Sequence, residues 1–142
     1  MRTSYDADVV AWAGEQAALL RAGQLDALDS CNIAEELEGV ARSEQREFGR
    51  ELSALIAQLL RWKFLPGGQC GSWELGIDVQ RAAIRYSLRT APSLQRYLDE
   101  EEWMDLVWLR AAAAVVRESG LDIPGDWLWA SSQVLDANFL PD

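Results

Sequence analysis

At 142 residues the chain is the size of one domain, and with nearly half its residues hydrophobic, seven of the side chains tryptophan, it can build a packed core. Its 23 acidic against 13 basic side chains leave a formal charge of -10, a field that repels phosphate backbones and anionic lipid surfaces, so neither nucleic acid nor membrane is expected as a partner. The absence of histidine excludes a Ser-His-Asp or Cys-His apparatus and a histidine zinc site; any chemistry must use carboxylates, arginine, tyrosine, thiol or a borrowed cofactor, and no motif calls for a cofactor.

The opening MRTSYDAD lacks the apolar stretch of a secretory signal, so a cytoplasmic location is expected. Cys31 and Cys70 are too few and too far apart in sequence for a disulfide framework and are expected to be reduced thiols. No alternation of apolar and polar residues is long enough for a strand, whereas helical spacing recurs in nearly every segment. The expected fold is all-α: a single domain over 1–142, an irregular bundle of about five or six helices organised around one long helix at about 32–64.

A first helix is expected from Asp6 to Ala22, with Val9, Trp12, Ala13, Leu19 and Leu20 near one side and Gly23 as its stop. QLDALD then forms a short turn or helix. The long helix should start at Asn32 as N-cap, with Glu35 reaching back as in a capping box, and run to Phe64. Its apolar stripe is Ile33, Leu37, Val40, Phe48, Leu52, Leu55, Leu59 and Trp62.

At about 100° per residue, Glu44 falls within that stripe, between Val40 and Phe48, where a leucine would be expected. A buried carboxylate costs several kcal/mol unless paired and hydrogen-bonded, so Glu44 requires a partner. The glycine-rich link FLPGGQCGS leads to a third helix, capped by Ser72 and running from Trp73 to Thr90, whose stripe is Trp73, Ile77, Gln80, Ile84 and Leu88. Gln80 and Arg81 are therefore the expected partners of Glu44, in a buried polar network or pocket, and Arg81, Arg85 and Arg89 should form a basic ridge facing the acidic spine.

Pro92 and Ser93 open a segment that restarts as a helix from Asp99 to Ser119, closed by Gly120. A short helix near Ser131 to Leu135 precedes Phe139 and Leu140, which are expected to dock on the bundle. Trp127 and Trp129 alternate in a loop before that helix and are candidate anchors for a protein partner. Glu35, Glu36 and Glu38 form an EELE run, a candidate for Mg²⁺ or Mn²⁺ set against the plainer reading as cap, salt-bridge and solvent residues.

In order and spacing, YDADVVAW, QAALLRAGQLDALD, NIAEELEGVARSE, LLRWKFLP, SWELGIDVQR, APSLQRYL, ESGL and VLDANFLP resemble the bacterial domain-of-unknown-function family 29 over nearly the whole chain. The resemblance implies an α-helical domain with no established activity. Asn32, Glu35, Glu36, Glu38, Glu44, Gln80 and Arg81 stand at positions that match the family's motifs. Two functions from different classes remain open. One is a non-catalytic module that binds another protein, itself as a homodimer, or a small ligand. The other is an Mg/Mn-dependent hydrolase of a nucleotide-like substrate acting through Glu35, Glu36 and Glu38.

Overall fold

The computed structural model describes residues 2–65, 67 and 69–142, and among them every regular element is helical. In chain order these are Val9–Arg21 (α1), a 3-10 turn at Leu25–Ala27, Ser30–Phe64 (α2), Gly71–Thr90 (α3), a 3-10 segment at Pro92–Asp99, Glu101–Ser119 (α4) and Ser131–Val134 (α5). Two residues of the expected glycine-rich link, Pro66 and Gly68, lie outside the described residues. The chain divides into two compact units, Met1–Ser43 and Glu44–Asp142, with α2 contributing to both. No helix among the described residues is long and apolar enough to cross a membrane.

In the first unit, α1 starts at Val9 because Asp8, in extended conformation, accepts from the N–H groups of Val10 and Ala11 and so satisfies two donors of the first turn. The helix buries Trp12 and Gln16. Both reach Asp29: the Trp12 indole Nε1 donates to its carboxylate at 3.0 Å, and Gln16 Oε1 accepts from its N–H at 2.8 Å. Tyr5 packs edge-on against Trp12, ring centroids 4.9 Å apart.

The same Asp29 explains why α2 starts at Ser30 and not two residues later. Its carbonyl accepts from the Ile33 N–H, the first bond of the helix, and its carboxylate accepts from Asn32 Nδ2 at 2.8 Å. The expected Asn32 cap and Glu35 capping box are thereby corrected: Asn32 lies inside the helix and serves the residue that precedes it.

Asp29 gives this unit an acid sensitivity. The hydrogen bond from Asn32, then that from Trp12, hold its carboxyl below the ordinary Asp value. A depressed folded-state pKa contributes stability that is complete above the unfolded value and is lost as pH falls through the lower folded one. Protection of the α1 amides, measured relative to their intrinsic exchange rates, should therefore fall on acidification through that range, and Asp29→Asn should flatten the fall. An unchanged profile in the variant would show that Asp29 does not couple the two helices.

In the second unit, the part of α2 from Phe48 onward supplies the core's main ridge. Phe48, Leu52, Leu55, Ile56, Leu59 and Leu60 are buried, at the i, i+3, i+4, i+7 and i+8 spacing, counted from Leu52, that marks one helix face. They pack with Ile77 and Ile84 of α3, with Leu94 and Leu98 of the 3-10 segment, and with Met104, Val107, Trp108, Ala111 and Val115 of α4. Polar bonds pin the helices: Ser53 Oγ donates to the Val107 carbonyl at 2.9 Å, and Ser87 Oγ donates to Glu51 at 3.0 Å. α4 stops at Gly120, which takes the left-handed conformation at φ 71°, open to glycine without strain, and returns its N–H to the Val116 carbonyl.

The expected apolar stripe of α2 is buried only in its second half. Leu37 and Val40 are 65% and 61% exposed.

Candidate functional site

Glu44 continues the exposed half of that stripe and is itself exposed, so the expected burial of its carboxylate, and with it the need for a partner, is corrected. Among the described residues no hydrogen bond or ion pair joins it to Gln80 or Arg81. The α2 carboxylate that does meet α3 is Glu51, one turn before Leu55, where partial burial raises its pKa and the Ser87 hydroxyl opposes the rise.

Among the described residues Arg81 is the buried charged side chain, 1% exposed on the inner face of α3 between Ile77 and Ile84. Its donors go to main chain: Nε to the Val134 carbonyl at 2.9 Å and Nη2 to the Phe139 carbonyl at 2.8 Å. A planar guanidinium spans two carbonyls in a way an ammonium would not. Arg81 thus clasps the C-terminal segment to α3, and burial lowers its pKa from the ordinary arginine value. Gln80 is half-buried beside it. Of the expected basic ridge, only Arg85 and Arg89 are exposed.

The clasped segment accounts for one of the two candidate tryptophan anchors. Trp129 is half-buried, with its ring 5.6 Å from Trp108 and 5.8 Å from Phe139, so it closes the core and is not a free surface anchor. Trp127 is 38% exposed and donates through Nε1 to Asp105 at 2.8 Å.

The EELE run is exposed and already has partners. Glu36 accepts from the Tyr5 hydroxyl, while Glu35 and Glu38 lie 3.9 and 3.8 Å from Arg42, in pairs too open to solvent to contribute much. Among the described residues no group of three or more Asp, Glu, His or Cys side chains is placed to hold a metal ion. The metal reading of Glu35, Glu36 and Glu38 is corrected on that geometry: a cation there would face the Arg42 guanidinium. Cys31 and Cys70 are free and exposed; Ser72 and then the Trp73 N–H hold the Cys70 thiol below its usual pKa.

The feature that sequence reasoning missed is a second apolar stripe on α3. Leu75, Val79 and Tyr86 are 63%, 58% and 60% exposed, and exposed Ala82 lies between the last two. The spacing is four, three, four, the repeat of a coiled-coil seam over about two heptads. Along one flank run Asp78 and Arg85, both exposed and seven residues apart. The signal was present in the sequence, overshadowed by the inner stripe that Ile77 and Ile84 define.

Against known proteins, the family model described as Domain of unknown function DUF29 matches residues 4–140. No curated protein and no solved structure matches the chain. Matched over nearly its whole length, the chain belongs to the DUF29 family, whose function is unknown.

Proposed function

We propose that this protein is a non-catalytic interaction module that pairs with a second copy of itself through the outer face of α3. The observation that carries the reading is the exposed seam of Leu75, Val79, Ala82 and Tyr86 with its flanking charges. In an antiparallel pair about a two-fold axis, Val79 meets the partner's Ala82 and Leu75 meets the partner's Tyr86. The same axis brings Asp78 against the partner's Arg85, twice by symmetry, which makes the stripe complementary to itself in charge as well as in shape.

Burying a large apolar side chain contributes about 1.5–3 kcal/mol. Six such side chains, three per copy and none fully enclosed, stand against an association cost of about 4–15 kcal/mol, so the pairing is weak enough to depend on protein concentration. Light scattering coupled to size exclusion should show a mass that rises with concentration toward that of a dimer. Val79→Glu should hold it at the monomer mass while changing folding stability by no more than about 0.5 kcal/mol, because the position is exposed. A wild-type protein that stays monomeric at the highest attainable concentration would refute the reading.

A further inference from the structure

A cavity of about 230 Å³ lies among α2, α3 and α4 of the second unit, lined by Gln58, Arg61, Ser72, Trp73, Gly76 and Glu118. Its floor depends on the absence of a side chain: a Cβ at Gly76 would stand 3.0 Å from Gln58 Nε2. One wall is an ion pair, Arg61 Nε to Glu118 Oε2 at 2.6 Å. Among the described residues Arg61 makes no other ion pair, which leaves its terminal nitrogens, like the second oxygen of Glu118, for a ligand. Ser72 and Trp73 belong to the first turn of α3, where N–H groups lack intrahelical acceptors and the helix dipole is positive.

Gln58 supplies the observation that points to an occupant. Its Oε1 is enclosed and has no hydrogen-bond partner among the described residues, a state that buried polar atoms rarely keep. Its Nε2, which has no acceptor among the described residues, is the amide atom nearest a Cβ at Gly76 and so the one at the cavity floor. The lining thus presents one cation, one anion, an amide, a hydroxyl and an indole, with no net charge.

A simple anion would meet Glu118 and a simple cation would meet Arg61. A molecule carrying both charges a few atoms apart satisfies both walls. We propose that this cavity binds a small zwitterion of the amino-acid class. Its carboxylate lies toward Arg61, Ser72, the Gln58 amide N–H and the first turn of α3, its ammonium donates to Glu118, and its side chain packs on Trp73.

The test titrates the full chain with each of the common amino acids, followed by the indole N–H resonance of Trp73 and by calorimetry. The best binder is then compared with the acid that lacks its amino group and the amine that lacks its carboxylate. The proposal expects at least one amino acid to shift the Trp73 resonance, and removal of either charged group to weaken binding by about tenfold or more. Gly76→Leu, which fills the floor, should abolish the shift. Should that variant fail to fold, Glu118→Gln, altering a half-exposed side chain, should bring the amino acid down to the affinity of its deaminated counterpart. Absence of binding by every amino acid, equal binding by a singly charged analogue, or a response that persists with the floor filled or the carboxylate removed would each overturn the assignment.

Discussion

Replacing Arg81 with leucine is expected to destabilise the protein by about 3 kcal/mol, through the main-chain carbonyls of Val134 and Phe139 that lose their donors. A carbonyl left buried without a partner costs about 1–3 kcal/mol, in full for the buried Val134 oxygen and in part for the part-buried Phe139 oxygen, and leucine's own apolar burial offsets some of the sum. Arg81→Lys should recover less than half of the loss, because a single ammonium on a flexible stem does not hold both carbonyls in one plane. The damage should also be local first: amide exchange from Ser131 to Leu140 should accelerate more than in the core ridge of α2. Glu44→Leu is the control, an exposed position where a change within about 0.5 kcal/mol is expected. Equal, small effects of Arg81→Leu and Glu44→Leu in thermal unfolding would refute the clasp.

Trp108→Ala should be costlier still, about 3–5 kcal/mol, the range for removing a large aromatic from a core. Trp108 is fully enclosed on α4 and makes a tilted ring contact with Trp129, which in turn meets Phe139 edge-on, so its loss opens a cavity beneath the segment that Arg81 holds. Its indole Nε1 is buried without an acceptor among the described residues. Trp108→Phe removes that unsatisfied donor along with one ring and should therefore cost a fraction of the alanine change. Denaturant unfolding of the two variants separates the terms: similar losses would mean that the indole N–H is bonded and contributes to stability.

The all-helical fold was legible because apolar residues recur at helical spacing in nearly every segment, and the C-terminal ends of α1 and α4 were legible because Gly23 and Gly120 take the left-handed conformation that stops a helix, whereas the Asp8 cap that starts α1 at Val9 was not read. The polar interior was not. Periodicity reports which residues share a helix face and is silent on what lies against that face. Leu37, Val40, Glu44 and Phe48 share one, but enclosure begins only at Phe48. Arg81 was rightly placed inward, and its partners were missed because a main-chain carbonyl has no sequence signature: any residue at 134 or 139 offers the same acceptor. Asn32 misled for a related reason, since an amide four residues into a polar stretch reads equally as a cap and as the donor to a cap. The outer stripe of α3 was legible in principle, for it needs only that one helix carry two apolar faces.

That stripe carries the central claim, and charge exchange across the proposed two-fold tests it most directly. Sedimentation equilibrium would compare the wild-type chain with Asp78→Arg, Arg85→Asp and the double exchange. Antiparallel pairing puts like charges face to face in each single variant and restores opposite charges in the double one, so the singles should weaken association and the double should recover it. A double variant no better than the singles, or association indifferent to all three, would contradict pairing through α3.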